Sequence, residues 1–225
     1  AEQEDVFYYL TVMNENYEHP EMPAGSEADI IKGMYAFRKG GESSGPRVQL
    51  AGSGTIFREV IAAADLLKND WGVESDLWGA PSFNELARDG QDTERWNMLH
   101  PMDEPRKSHI ETLLEGAEGP LVVATDYIRM FPEQVRAFVK RTYVTLGTDG
   151  FGRSDTRAAL RAFFEVDAQN IALAAIEALV QRVAAQAARE VVDRLSAEPR
   201  GVVRVSVPVS LAQQQLARLL PRFLE

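Results

Sequence analysis

Short apolar segments alternate with helical patterns through the middle of this chain. The four strand candidates are RVQLAGSG, VESDLWGAPS, PLVVATDY and YVTLGTDG, in chain order. Strands with apolar residues at successive positions are usually buried on both faces, which is typical of a parallel sheet between two layers of helices. The sequence therefore predicts an α/β fold with a mostly parallel sheet flanked by helices.

Helical patterns separate these strands. Segment 83–99 is predicted to be helical in part, with an interruption at Gly90, and segment 156–166 is predicted to form another helix. The aromatic segment 5–14 predicts a strand, whereas the Gly/Ser-rich segment 37–46 predicts a connection between domains. In 55–71, Thr55 is a candidate N-cap, and the apolar residues at helical spacing are Ile56, Val60, Ile61, Ala64 and Leu67.

A long helix is predicted to follow. Residues 168–195 contain neither Gly nor Pro, and an apolar stripe at spacings of three and four runs along them. Beyond it, 202–210 alternates like a strand and 211–225 has a helical pattern. The stripe consists of Ile176, Leu179, Val183, Ala187, Val191 and Leu195.

Charge and composition restrict the function classes. The net charge is −10 at pH 7, so we expect no nucleic-acid partner, because a polyanion would be repelled. No stretch approaches about 18 consecutive apolar residues, so no membrane partner is predicted either. The chain has no cysteine, which excludes disulfides, thiolate metal sites and cysteine nucleophiles. These features favour a cytoplasmic protein.

The segment VTLGTDGFGRSDTR, residues 144–157, places three glycines and then charged residues after a strand. Its glycines match neither a phosphate loop nor the dinucleotide pattern, and the Gly-x-Gly of AGSGT lacks the third small residue. Tight strand-to-helix turns are the favoured interpretation of both loops, with nucleotide binding as the alternative. Because the carboxyl ends of parallel strands share one edge, we expect AGSGT, WGAPS, ATDYI and GTDGFGRSD to lie together there.

The three histidines have different surroundings. His100 and His109 are nine residues apart without a carboxylate at helical spacing, which argues against zinc. The charged segment 85–101 around Trp96 is interpreted as a solvated helix with an aromatic anchor, or alternatively as an interface or a substrate-facing loop. His19 lies in a Pro-rich loop, where a histidine is easily placed in an active site.

Five strings carry a family resemblance: NENYEHPEMPAG, LAGSGTIFREVIAAADLL, SFNELARDGQDTERWNMLHP, ATDYIRMF and VTLGTDGFGRSDTR. Over about residues 1–180 the chain resembles the homodimeric bacterial pyruvate dehydrogenase first component. The resemblance implies that 1–45 ends a middle, pyrimidine-binding domain with its linker. It also implies a transketolase C-terminal-like domain over 46–167, and a long helix and a tail over 168–225.

The resemblance also implies a function for the full-length enzyme, of which this chain looks like the C-terminal quarter. That enzyme decarboxylates pyruvate with thiamine diphosphate and magnesium, and passes the acetyl group to lipoamide on a dihydrolipoamide acetyltransferase core. The cofactor is held by domains that precede this stretch, so we expect no bound cofactor or metal and no activity in this chain alone. A homodimer is implied, and His19 is the one catalytic residue that we transfer.

The tail differs from that family. Residues 182–225 contain seven arginines against four acids and no lysine, and they resemble the linker helix and the start of the effector domain of LysR-type transcription regulators. The chain thus looks like two fragments joined near residue 181. A non-enzymatic dimerisation module or an artificial fusion is the alternative, and a fragment of a regulator is a weaker one.

Overall fold

A five-stranded sheet forms the centre of the computed structural model, which describes residues 5–8, 10, 16–42 and 45–196. The strand order is β1-β3-β2-β4-β5. Strands β2 to β5 are parallel, and β1 pairs antiparallel with β3 at one edge. The prediction of a mostly parallel sheet is thereby confirmed. The strands are β1 (Tyr35–Arg38), β2 (Arg47–Gly52), β3 (Glu74–Gly79), β4 (Leu121–Ala124) and β5 (Tyr143–Leu146).

Helices connect the parallel strands. Helix α2 lies between β2 and β3, and α3 and α4 lie between β3 and β4. The helices are α1 (Glu27–Ile31), α2 (Ile56–Trp71), α3 (Phe83–Leu99), α4 (His109–Leu113), α5 (Met130–Glu133), α6 (Arg157–Phe163) and α7 (Ala168–Ser196), and a 3₁₀ turn spans Arg136–Phe138.

Both faces of the sheet are covered, because alternate side chains of each strand enter different apolar clusters. In β4, Val122 packs with α2 and α7 on one face, whereas Val123 packs with α3 and α4 on the other. This arrangement explains why the parallel strands are apolar at successive positions. The first cluster includes Val48, Leu50, Val60, Leu67, Leu77 and Ile171, and the second includes Ala51, Trp78, Leu86, Ile110, Leu121 and Phe138.

One polar side chain lies inside the central strand. Gln49 of β2 is fully buried. Its Nε2 donates to Asp76 Oδ2 at 2.9 Å and to the carbonyl of Glu118 at 2.8 Å, and its Oε1 accepts from Trp78 Nε1 at 2.8 Å. Asp76 also accepts from Arg47 Nη1 at 2.7 Å. Buried polar groups are costly unless they are bonded, and this network satisfies them while joining β2, β3 and the turn before β4.

Two expectations about secondary structure differ from the observed fold. The connection predicted from residue 37 begins inside β1, which extends the sheet as an antiparallel edge strand. Residues 5–8 and 10 form no strand, and the rest of the strand predicted over 5–14 lies outside the described residues.

Gly90 does not interrupt α3, contrary to prediction. The helix spans Phe83–Leu99 without a break. A Cβ on Gly90 would lie 2.4 Å from ring carbons of Phe138, whose side chain is buried. The glycine therefore lets the ring of Phe138 pack directly on the helix backbone, which compensates for the low helix propensity of glycine.

The first turn of helix α7 is hydrogen-bonded to Glu59 of α2. The Oε2 atom of Glu59 accepts from the N–H of Ala168 at 3.1 Å, and its Oε1 accepts from Arg161 at 2.8 Å. Ile171 and Ala175 then pack against the sheet. The predicted long helix is confirmed, but its first buried residues lie further toward the N-terminus than the predicted stripe, whose member Val183 is 68% exposed.

The segment Arg157–Arg189 meets the length and composition criteria for a membrane span, with a mean hydropathy of 1.4 in its 18-residue window. A helix that packs in the core of a protein meets the same criteria. Ile171 and Ala175 of this segment belong to the apolar cluster under the sheet, and 22% of the 18-residue window is buried. The strand predicted over 202–210 and the helix predicted over 211–225 lie outside the described residues.

We expect Gly90→Ala to destabilise the fold, although alanine favours helices by about 1 kcal/mol. The added methyl group would overlap Phe138, and overpacking of this kind costs about 1–3 kcal/mol. Urea denaturation would show a lower midpoint. Gly152→Ala is the control, since its Cβ would meet no atom within 4 Å, and a stabilised Gly90→Ala variant would contradict this account of the packing.

Candidate functional site

The carboxyl ends of the four parallel strands bring four loops to one edge of the sheet. Segments 53–55, 80–82, 125–129 and 147–156 follow β2, β3, β4 and β5. The sequence-based placement of AGSGT, WGAPS, ATDYI and GTDGFGRSD at a common edge is confirmed. In open α/β sheets ligands gather at this edge, so it is the first place to look for a functional site.

The loops after β2 and β4 are joined at their base by two hydroxyl groups. Ser53 Oγ and Thr125 Oγ1 lie 2.6 Å apart, and both residues are buried. Thr125 Oγ1 also accepts from the N–H of Tyr127 at 3.2 Å. The hydroxyl groups are thus used by the protein itself, and they fix the spacing of the two loops.

The loops after β4 and β5 are joined more extensively. The N–H of Arg129 donates to Asp149 Oδ1 at 2.8 Å, and its Nε donates to Oδ2 of the same carboxylate. These hydrogen bonds lower the pKa of Asp149. Thr148 donates its N–H to the carbonyl of Tyr127 at 2.9 Å and its hydroxyl to the carbonyl of Asp126 at 2.6 Å. The two loops consequently form one hydrogen-bonded unit.

Glycines permit this close approach. A Cβ at Gly147 would lie 2.7 Å from the carbonyl oxygen of Tyr127, and Gly150 has a φ of 98°, a conformation that side chains rarely adopt. The ring of Phe151 is 97% exposed. The glycines of GTDGFG therefore shape a turn against the neighbouring loop, which is the interpretation that the sequence favoured over a nucleotide loop.

A cavity of about 250 Å³ opens between the N-terminus of α2, the joined loops and α6. Its lining combines apolar side chains with three arginines and one carboxylate. The lining residues are Thr55, Ile56, Asp126, Thr148, Gly152, Arg153, Arg157, Leu160, Arg161, Phe164 and Val166.

The charges of this cavity have distinct partners. Arg161 pairs with Glu59 at 2.8 Å and is largely buried. The guanidinium of Arg153 lies 3.8 Å from the centroid of the Phe163 ring, which is a cation–π contact. Burial raises the pKa of Asp126, and the positive charge of Arg161 opposes that shift. The cavity therefore presents more positive than negative charge.

A larger hollow of about 420 Å³ lies along α3 and carries Glu85, Arg88, Asp89 and Trp96, among others. Its charged groups are largely paired within the protein. Arg88 pairs with Glu85 at 2.9 Å, Asp89 accepts from the N–H of His109, and Arg106 lies over the ring of Trp96. Several side chains of this hollow are thus already paired within the protein, and we take the cavity at the strand ends as the candidate site because ligands of α/β sheets gather there.

The three histidines are in separate places. His19 is exposed, in the segment where the ring of Tyr17 lies under the guanidinium of Arg58. His100 stacks on Trp96 with ring centroids 4.3 Å apart, as expected for a solvated helix with an aromatic anchor. His109 is buried, and its Nε2 lies 2.9 Å from the carbonyl of Met34. The structure brings none of them to the lining of the cavity.

Sequence reasoning placed the right loops at this edge but missed three cavity residues. Nothing in the pattern of ATDYI distinguishes Asp126, and Arg157 and Arg161 fit the pattern of an ordinary helix. The spacing of four between the two arginines places them on one face of α6. That spacing, beside a loop that already contained Arg153, is the signal that could have indicated a basic cavity.

A magnesium-bound diphosphate does not fit these residues. Magnesium takes an octahedral set of oxygen ligands, usually with one or two carboxylates, whereas the cavity offers Asp126 among three arginines, which repel a cation. Within 5–8, 10, 16–42 and 45–196, no group of three or more His, Asp and Glu side chains could hold a metal.

Comparisons with known proteins agree with the fold. Residues 33–167 match the transketolase-like TK C-terminal domain. Pyruvate dehydrogenase E1 components are similar over about four-fifths of the chain. The protein of Cupriavidus necator is 72% identical over 180 residues, covering 80% of this chain and 20% of that protein. The protein of Pseudomonas aeruginosa is 55% identical over 182 residues, covering 80% and 21%.

The E1 component of Escherichia coli K12 is 52% identical over 181 residues, covering 80% of this chain and 20% of that protein. The chain spans about a fifth of the length of these curated relatives. Among solved structures, transketolase from Leishmania mexicana has a TM-score of 0.48 and 17% identity, covering 70% of this chain and 20% of that one. The resemblance of residues 182–225 to LysR-type regulators is not shown by these relatives and stays a prediction.

The match over residues 33–167 covers more than half of the chain, and the observed sheet is the one expected for such a domain. This chain belongs to the family of transketolase-like TK C-terminal domains.

Proposed function

We propose that residues 1–180 serve as the C-terminal part of a pyruvate dehydrogenase E1 component. The whole enzyme would decarboxylate pyruvate with thiamine diphosphate and transfer the acetyl group to lipoamide on a dihydrolipoamide acetyltransferase core, in the cytoplasm. The observation that carries this proposal is 72% identity to the protein of Cupriavidus necator. This identity extends over 180 residues and is not limited to a short motif.

The isolated chain would be inactive. Cofactors carry the difficult chemistry in enzymes of this kind, and the protein supplies their binding and orientation. The described residues offer neither a metal-binding group nor a cavity suited to a magnesium-bound diphosphate. We infer that this part contributes to the folded assembly of the whole enzyme, while the cofactor would be bound by the other four-fifths of that enzyme.

His19 is proposed to face the reacting groups in the assembled enzyme. Its side chain is exposed in this chain. The neighbouring Tyr17 lies against Arg58 in the first turn of α2, and the N-terminus of α2 is at the edge where the loops meet. The segment that carries His19 is therefore close to the edge of the sheet that ligands of α/β proteins use.

A domain exchange tests the proposed function. Residues 1–180 of this chain would replace the matching segment of the Cupriavidus necator E1 component, and pyruvate decarboxylation would be measured with thiamine diphosphate and magnesium. We expect the hybrid to be active and the isolated 225-residue chain to be inactive. The matching segment of Leishmania mexicana transketolase is the control, and we expect it to give no activity. A folded but inactive hybrid, or an active isolated chain, would refute the proposal.

In the same hybrid, His19→Ala tests the catalytic role. General acid–base groups typically contribute about 10²–10⁴-fold, so we expect kcat to fall by at least about tenfold with little change in thermal stability. Glu18→Ala is the matched control, because Glu18 is also exposed and adjacent. Equal kcat values for the two variants would remove His19 from the mechanism.

Self-association is a second candidate function, favoured by exposed apolar residues along α7. Leu173 and Val180 are each 61% exposed, and Val183 is 68% exposed. They are separated by seven and three residues, so they lie on one side of the helix. We propose that this face contributes to a homodimer.

Sedimentation velocity tests the dimer. We expect the chain to sediment as a dimer and the double variant Leu173→Glu/Val180→Glu to sediment as a monomer, because the introduced charges would be desolvated in the interface. Gln181→Glu adds a charge at an exposed neighbouring position and should leave the dimer intact. A parent chain that stays monomeric at every concentration would exclude this function.

A further inference from the structure

We propose that Tyr17 and Arg58 position His19 for its role at the reacting groups, by keeping the segment that carries this histidine against the first turn of α2. The inference rests on the proposed function, because it concerns the histidine that the decarboxylase would use. Tyr17 and Arg58 are positioning residues, since each acts through His19 and neither is assigned a contact with substrate or cofactor.

The ring of Tyr17 attaches this segment to the domain. Tyr17 is half-buried, whereas every residue from 18 to 22 is exposed. The guanidinium of Arg58 lies 4.6 Å from the centroid of the Tyr17 ring, within the distance of about 6 Å that defines a cation–π contact. This attraction and the burial of the ring together fix the upstream end of the exposed segment.

The downstream end of the exposed segment is fixed as well. Ser26 is the N-cap residue of α1, and it is buried. It donates to the carbonyl of Pro23 through its Oγ at 2.7 Å and through its N–H at 3.3 Å. Five residues, 18–22, therefore connect two fixed points. A connection of this length restricts the positions that His19 can reach.

Proline restricts His19 further. Pro20 follows His19 directly, and steric contact with a proline ring confines the preceding residue to extended backbone conformations. His19 is also only two positions after the attached ring of Tyr17. The contact between Tyr17 and Arg58, together with this restricted backbone, therefore determines where the imidazole lies relative to α2.

The loop after β2 in turn places Arg58. The N–H of Arg58 donates to the carbonyl of Thr55 at 3.3 Å, and the same loop is joined through Ser53 to Thr125 in the loop after β4. Arg58 thus belongs to the edge of the sheet at which the ligands of α/β proteins gather. A histidine kept beside Arg58 is kept at that edge.

Pulsed EPR tests the positioning, because a chain without cysteine can be labelled at chosen sites. In the full 225-residue chain, nitroxide labels would be attached at His19→Cys and Asn69→Cys, and the distribution of distances between them would be measured. Asn69 is exposed near the C-terminal end of α2. We expect a narrow distribution in this parent and a broader one after Arg58→Ala or Tyr17→Leu, since either change removes the cation–π contact.

Conservative variants separate the contact from general packing. Arg58→Lys keeps a cation and Tyr17→Phe keeps a ring, so both should retain the narrow distribution. Arg106→Ala is the matched control, because it removes a cation–π contact with Trp96 elsewhere in the protein. Circular dichroism checks that each variant is folded, and Tyr17→Leu decides if Arg58→Ala does not fold. A distribution that stays narrow without the cation or without the ring would refute the inference.

The hybrid enzyme shows whether this position matters for the reaction. Arg58→Ala and Tyr17→Leu should each lower kcat by about threefold or more, which is the scale of a cation–π contact, and Arg58→Lys should restore most of the loss. Residues that act through one another are not additive, so Arg58→Ala should have no further effect in the His19→Ala variant.

The outcomes for the two proposals are distinct. Additive losses in the variant that combines Arg58→Ala with His19→Ala would show that Arg58 does not act through His19, and this would overturn the inference. A folded parent hybrid without activity would instead refute the proposed function. The distance distribution in the 225-residue chain would then decide the positioning inference by itself.

Discussion

Burial of the central strand β2 on both faces is the constraint on which this structure depends. A strand in that position must present apolar side chains to both faces of the sheet. Any polar atom among them needs a hydrogen-bond partner inside the protein. Gln49 is the polar side chain in the middle of β2, and it bonds to Asp76, Trp78 and the carbonyl of Glu118. This one amide joins β2, β3 and the turn before β4.

The parallel part of the fold could be predicted from the sequence because local pattern and tertiary environment agree there. Four apolar segments with small residues at their ends became β2 to β5, and the spacing from Ile56 to Leu67 became the buried side of α2. The loops then met at one edge as a geometric consequence of parallel pairing. The glycines of GTDGFG could likewise be assigned to a turn, since their spacing did not match a nucleotide loop.

The features that escaped prediction depend on contacts between distant residues. The connection predicted over 37–46 overlaps the last two residues of strand β1, which is a strand because it pairs with β3. Gly90 looked like a helix breaker, and it is tolerated because the ring of Phe138 packs on it from 48 positions further along the chain. The basic cavity combines Asp126 with Arg157 and Arg161. The spacing of the two arginines indicates a basic face of α6, but no local pattern indicates that Asp126, 31 positions before Arg157, lines the same cavity.

The joining of the loops after β4 and β5 has a mechanical consequence. Arg129, Asp149 and Thr148 connect these loops through both backbone and side-chain atoms, and Gly147 removes the space that independent movement would need. These hydrogen bonds connect the backbone beside Phe151 to the carbonyl of Asp126. The two loops are thereby restrained to move together, so the edge of the sheet has fewer independent parts than its number of loops suggests.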